Sequence, residues 1–384
     1  MKKIMQELDK LSKERINQLQ QAKQEGKAVV QYTGNFIPEE VIKASGAEPF
    51  LMCRGGEPEP PDAVLDNMLR FMNPLARSMA GFYMLGLDPV TPISDLIITQ
   101  QTDNHVGRIS ELLEYKGLPI FKVGVPSDWE KEMAFDYYVN SLRKMQAKLE
   151  EITGKPIDNK AIEAHIRKSN KVNEGLRKID SLRKKPNPPI GLTEFIRLNH
   201  YSFNIDPDTM VLKLDELYEA LKDAPGKFPE DAPRILFAGH ALAIGDYMVP
   251  KLVEEAGAVI AADFLDEGIR EYKHDIAITG DPIVDFARAR YLDRPPVNIF
   301  QPAWKQRFAY IQQIIAEYKI DAVIWYQLSF DEIYDMEYSC LAKWMNESGT
   351  PILKMESSYE YSREAMAPLI TRIESFIASF KGGK

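Results

Sequence analysis

The sequence is poor in cysteine: Cys53 and Cys340 are the only two among 384 residues. They allow at most one disulfide, which a chain of this size does not need. Two thiolates are also too few for a typical protein-held iron–sulfur cluster. Histidine is scarce and scattered, at positions 105, 165, 200, 240 and 274, with no pair at metal-ligand spacing and no H-E-x-x-H. A metal site built from His240, Asp263 and His274 would need three separate loops to converge, which nothing local enforces. The chain lacks G-x-G-x-x-G, G-x-x-x-x-G-K-[ST] and G-x-S-x-G. These absences argue against dinucleotide binding, ATP hydrolysis and elbow-type serine hydrolysis. No window approaches 18 uninterrupted apolar residues, so no membrane span is expected. Lys plus Arg number 48 against 57 Asp plus Glu, and the resulting charge of −9 opposes nucleic-acid binding. The densest basic run, Ser181-Leu182-Arg183-Lys184-Lys185, adjoins Pro186, Pro188 and Pro189 and reads as a solvated linker.

What is present fits a folded protein of two or more domains: 45% of residues are hydrophobic and 27% charged. Residues 1–30 are charged and heptad-like with no apolar h-region, which predicts an amphipathic helix and not a signal peptide. Cytoplasm is the expected location. Ala28–Tyr32 reads as a strand, Pro38-Glu39-Glu40 as a helix start, and Phe50–Met52 as a second strand.

Two later segments share one grammar. Asp95–Thr99, then Asp103, a helix and Gly117-Leu-Pro-Ile-Phe-Lys-Val123 match Asp321–Tyr326, then Asp331, a helix and Gly349-Thr-Pro-Ile-Leu-Lys-Met355. This order predicts an α/β fold with two duplicated parallel-sheet domains. The expected divisions are 1–150 for the opening helix and first α/β domain, 151–228 for a helical segment, and 229–384 for the second α/β domain.

Ligands in open parallel sheets sit beyond the strands' carboxyl ends. That singles out Asn35, Thr99–His105, His240, Asp263–Arg270 and Gln327–Asp331. Asp103 and Asp331 either cap the helices that follow or face a ligand, and His105 lies in the first turn after Asp103. Tyr326, Tyr334, Tyr338 and Tyr359 form either an aromatic wall or a set of buried, hydroxyl-paired rings. Arg270 is either an anion clamp or the partner of Asp263 or Glu267.

In several pieces the chain resembles the 2-hydroxyacyl-CoA dehydratase and benzoyl-CoA reductase family, especially its smaller subunits. The pieces are Ile37–Pro49, Ser94–Asp103, Leu149–Gly154, Gly257–Asp263 with Arg270, Asp321–Asp331 and Leu369–Phe376. The resemblance implies tandem flavodoxin-like domains, a heterodimer of similar subunits, and radical chemistry on a CoA thioester. A separate ATP-driven activator would deliver the electron through [4Fe–4S] clusters. The cluster cysteines of that pattern should stand at Asn73, before Asp103 and before Asp331. Asn73, Thr102 and Phe330 occupy those places, and Cys53 and Cys340 lie elsewhere.

The resemblance therefore implies a chain that holds no cofactor, paired with a homologous subunit that bears the [4Fe–4S] cluster and is served by the activator. Its expected role is to complete an acyl-CoA pocket and the subunit interface. Alternatives are a stand-alone acyl-CoA or small-anion binding protein, or a repurposed enzyme. Asp103, His105 and Asp331 are the candidate acid–base groups, and Arg270, Tyr326, Gln327, His240 and Asn35 the candidate substrate contacts. Thr99–His105 and Gln327–Asp331 are expected to face one cleft, with Phe330 filling apolar volume there.

Overall fold

The computed structural model describes residues 1–300 and 303–381. It begins with α1 (Lys2–Gln24), β1 (Val29–Tyr32), α2 (Glu39–Ala44), β2 (Glu48–Leu51), α3 (Glu59–Asp62), α4 (Pro74–Met84), β3 (Leu96–Gln101), α5 (Asn104–Tyr115) and β4 (Ile120–Gly124). Four helices follow: α6 (Glu132–Thr153), α7 (Asn159–Ser181), α8 (Leu192–Asn204) and α9 (Pro207–Leu221). The remainder comprises β5 (Arg234–Ala241), α10 (Met248–Glu255), β6 (Val259–Glu267), α11 (Pro282–Tyr291), α12 (Trp304–Tyr318), β7 (Ala322–Leu328), α13 (Glu332–Glu347), β8 (Ile352–Ser357) and α14 (Arg363–Lys381).

The strands form two four-stranded parallel sheets of one order, β2-β1-β3-β4 and β6-β5-β7-β8. The matched order is what the repeated sequence grammar predicts, and the α/β fold with two parallel sheets is as expected. β5 and β7 are buried at every position, as strands covered by helices on both faces must be. No helix among the described residues is long and apolar enough to cross a membrane.

Local chemistry fixes the helix starts. Asn73, Asp103, Asp206 and Asp281 each accept backbone N–H bonds in the following first turn. Pro74, Pro207 and Pro282 occupy first positions, where the missing N–H is not needed. The basic run at 181–185 is not the solvated linker expected. Arg183 is fully buried between Asp180 (2.9 Å) and Asp263 (2.5 Å), tying the end of α7 to β6.

The two sheets meet at their carboxyl ends. Beyond β2, Arg54 forms a parallel bridge with Ile244, whose N–H donates to the Cys53 carbonyl (2.9 Å) and whose carbonyl accepts from Gly55 (3.0 Å). Gly239 lies in β5 at φ +139, and a Cβ there would lie 1.9 Å from the Tyr326 carbonyl oxygen. Only glycine lets β5 and β7 approach so closely where they enter the junction.

Candidate functional site

In each sheet the chain runs outward from β1 or β5 in one direction and then, from β3 or β7, in the other. The crevice belongs at those reversals, and the sequence-marked residues collect there. Asn73, the N-cap of α4, is buried at the junction. Its Oδ1 accepts from the N–H of Leu75 (2.8 Å) and Ala76 (3.4 Å), which fixes the amide's orientation. Nδ2 therefore donates, and it reaches Asp331 Oδ2 at 2.9 Å. His240 Nδ1 lies 3.0 Å from the same oxygen and 3.3 Å from Asn73 Nδ2, and it donates to the carboxyl when Asp331 is ionised. The Asn73 N–H donates to His105 Nδ1 (3.0 Å), which makes His105 the opposite tautomer, protonated on Nε2 when neutral.

Asp103 and Asp331 divide the two roles their sequences leave open. Asp103 Oδ1 accepts from the N–H of His105 (2.7 Å) and Val106 (3.0 Å), and is a capping carboxylate. Asp331 precedes α13 but makes no side-chain capping bond. Its carboxylate turns instead to Asn73 and His240. Burial raises its pKa, Asp103 adds to the rise, and His240 and His105 oppose it.

Glu267, at the end of β6, is not among the individual candidates that the sequence marks. Its Oε1 accepts from Gln100 Nε2 (2.8 Å), a bond between the two sheets. Burial, reinforced by Asp103, Asp266 and Asp331, pushes its pKa up to about 8. Gln100 fits because Gly34, at φ +132, has no Cβ; one would lie 2.7 Å from Gln100 Nε2. Tyr334 supports a histidine, a role its sequence context does not suggest. Its ring lies on His240, 4.4 Å between centroids, and its hydroxyl donates to Asp266 (2.7 Å). The sequence does carry a signal for Glu267, a cluster of carboxylates, Asp263, Asp266 and Glu267, at one strand end.

Other candidates are held elsewhere. Arg270 pairs with neither Asp263 nor Glu267, but with Glu39 (2.7 Å) and Ser202 (2.8 Å to Oγ), and is buried. The reason is geometric: Asp263 is taken by Arg183, and the chain beyond Gly268 turns toward α2 and α8. Tyr326 donates to Asp246 (2.5 Å), and Gln327 to Asp335 (2.8 Å). Asn35 donates to the Ile269 carbonyl (2.8 Å), another bond between the two halves. His240, Asp263 and His274 do not converge, because Asp263 faces Arg183 and His274 faces Glu271.

The three cluster positions do not fit a cluster. The Asn73 amide is committed to helix capping and Asp331, and Thr102 Oγ1 donates to Asp103 (3.0 Å). Phe330 offers no donor. Its ring does not fill the cleft but lies outward, 36% exposed, edge-on to Phe71 at 5.5 Å. Its backbone sits at φ +65, in the left-handed region that few non-glycine residues adopt. Among the described residues no group of three or more His, Cys, Asp or Glu is placed to hold a metal ion. Cys53 is buried beside Ile244, and burial pushes its thiol up to about 12.

A family model described as 2-hydroxyglutaryl-CoA dehydratase, D-component, matches residues 35–380, and the chain belongs to that family. It is 20% identical to one of the subunits of benzoyl-CoA reductase from Thauera aromatica over 360 residues, which is 92% of this chain and 91% of that protein. It is 21% identical to the (R)-phenyllactyl-CoA dehydratase beta subunit of Clostridium sporogenes over 259 residues, 66% of this chain and 68% of that one. Among solved structures, a Mn-bound periplasmic metal binding protein from candidatus liberibacter asiaticus aligns over 92% of this chain and 98% of its own, at 12% identity and a TM-score of 0.23.

Proposed function

We propose that this protein is the cluster-free subunit of a heteromeric 2-hydroxyacyl-CoA dehydratase or benzoyl-CoA-reductase-like enzyme. A homologous partner carries the [4Fe–4S] cluster and receives electrons from an ATP-dependent activator. This chain completes the acyl-CoA pocket and the subunit interface, in the cytoplasm. The observation that carries the reading is the Asn73–Asp331–His240 cluster. It stands where thiolates would converge and satisfies its own buried polar groups without metal. Both named relatives are subunits of enzymes acting on CoA thioesters.

The test is anaerobic co-expression with a cysteine-complete homologue encoded nearby. The expected result is a stable complex with iron in the partner only, and activity on an acyl-CoA that neither chain has alone. Stoichiometric iron and broad absorbance near 400 nm in this chain alone would overturn the reading.

A second reading, a repurposed acid–base enzyme, is favoured by one observation. His240 hydrogen-bonded to Asp331 and Glu267 with its raised pKa border the same junction. Activity of the isolated chain on an acyl-CoA, lost in His240→Gln, would support it.

A further inference from the structure

A large groove lies at the far end of the first sheet from this junction. It has a volume of about 530 Å³ and opens beside the amino ends of β1 and β2. Its charged wall is Arg15, Lys27, Lys43, Lys155 and Lys168 with His165, against the two carboxylates Glu48 and Asp206. A cationic hollow in a chain of net charge −9 is a local reversal of sign, and a concave wall concentrates such a field.

Lys168 is held by Asp208 at 2.5 Å, but the other pairings leave cationic capacity unused. Lys155 makes no ion pair among the described residues, and Lys27 reaches Glu48 only at 3.8 Å, while Arg15 holds that carboxylate at 3.0 Å. Lys43 stands 3.5 Å from Glu39, whose closer partner is Arg270. His165, pulled below its usual pKa by burial and then by Lys43 and Lys168, registers the same positive field, with Glu39 opposing. The C-terminal ends of α2 and α6 also face this region near Lys43 and Lys155, and each helix end offsets about half a unit charge. That accounts for one of the cations and leaves a positive surplus.

The volume falls within the several-hundred-Å³ range of small-molecule sites. Phe203, Ile205 and Pro207 add apolar wall beside the lysines. Lysine ammonium groups bind phosphate as adaptable point charges.

We propose that this groove binds the diphosphate-bearing part of a nucleotide. A free nucleoside diphosphate and the nucleotide end of a CoA thioester share that chemistry. The proposal is independent of the junction at the other end of the sheet.

The test is calorimetric titration of the full chain with ADP and, separately, with coenzyme A. Lys27→Glu/Lys155→Glu changes two exposed side chains at the groove. Lys305→Glu/Lys343→Glu, on exposed positions of α12 and α13, makes the same change in net charge elsewhere. Saturable binding of at least one probe is expected, weakened about tenfold or more in the groove variant and less than about twofold in the control. The melting temperature should be unchanged in both. Competition between the two probes assigns them to one site, and the tighter one identifies the source. No saturable binding of either, or equal weakening in both variants, would overturn the proposal.

Discussion

Asn73 Nδ2 lies 2.9 Å from Asp331 Oδ2, although 258 residues separate them in the chain. One comes from the start of α4 against the first sheet, and the other from the end of β7 in the second. The bond closes the junction between the two parallel sheets at the place where the family pattern puts thiolates. A cysteine at position 73 has no carboxamide oxygen to cap α4 and no amide N–H for Asp331. The present residues are therefore suited to a metal-free junction.

Replacing Asn73 separates these functions. Asn73→Ala loses the cap and leaves the buried Asp331 one donor short, for an expected loss of about 1–3 kcal/mol in urea unfolding. Asn73→Asp keeps the capping oxygen but sets a second carboxylate against Asp331. It should be less stable than the parent at pH 7 and recover toward it near pH 5, as the pair takes up a proton. Equal destabilisation at both pH values would show that repulsion between the two carboxylates is not at issue.

Asp103 and Asp331 should respond differently, despite their equivalent places in the repeat. Asp103→Ala removes two capping bonds and should cost about 1 kcal/mol, with Asp103→Asn restoring most of it. Asp331→Asn removes no cap. Its effect should appear at His240, followed by imidazole NMR: losing the carboxylate 3.0 Å from Nδ1 should move that ring's resonances. An unmoved His240 resonance would mean that the pair is not formed in solution.

The fold was legible because parallel sheets announce themselves locally. Asp95–Thr99 and Asp321–Tyr326 are apolar runs ending in polar loops, and their repetition points to two sheets of one kind. The convergence of Asp103, His105, His240 and Asp331 follows from one rule about strand ends. What could not be read was the partner of each side chain. Arg270 could have answered Asp263, Glu267 or Glu39, since all depend on how α2 and α8 pack against the second sheet. Capping was equally hidden: Asp331 and Asp103 share a sequence context, but the Asn73 amide and His240, both brought from other elements, draw Asp331 away from its helix. Glu267 lies within the strand-end stretch, yet its raised pKa depends on burial and on carboxylates from both halves.

Glu267 should make stability fall as pH rises. Its pKa in the folded chain is about 8, well above the ordinary glutamate range. Between those values the folded state holds a proton that the unfolded state has lost, so stability from this group decreases with pH until about 8 and is then constant. Glu267→Gln keeps the size and adds no charge. Its melting temperature should exceed the parent's above pH 8 and approach it below pH 4, apart from any change in the Gln100 bond. A difference independent of pH would refute the protonated Glu267.

Arg270 and Glu39 carry the opposite sign. Burial alone would raise Glu39, but Arg270 and Lys43 outweigh it and hold its pKa near 2. The folded chain thus binds this proton more weakly than the unfolded chain. The stabilisation is fully present above the ordinary glutamate pKa and is lost as pH falls from there toward 2. The pair joins the loop after β6 to α2, so its loss should loosen the contact between the halves. Arg270→Ala leaves Glu39 buried without its main cation and should cost about 3–5 kcal/mol at pH 7. Arg270→Met with Glu39→Gln removes both charges and should recover much of that loss. Acid titrations followed by circular dichroism separate a structural pair from a ligand clamp. In the double variant the slope of stability between pH 4.5 and pH 2 should flatten relative to the parent. ADP and acyl-CoA binding, measured at pH 7 where the double variant is folded, should stay unchanged. Lost acyl-CoA affinity with an unaltered acid slope would return Arg270 to the role of a ligand clamp.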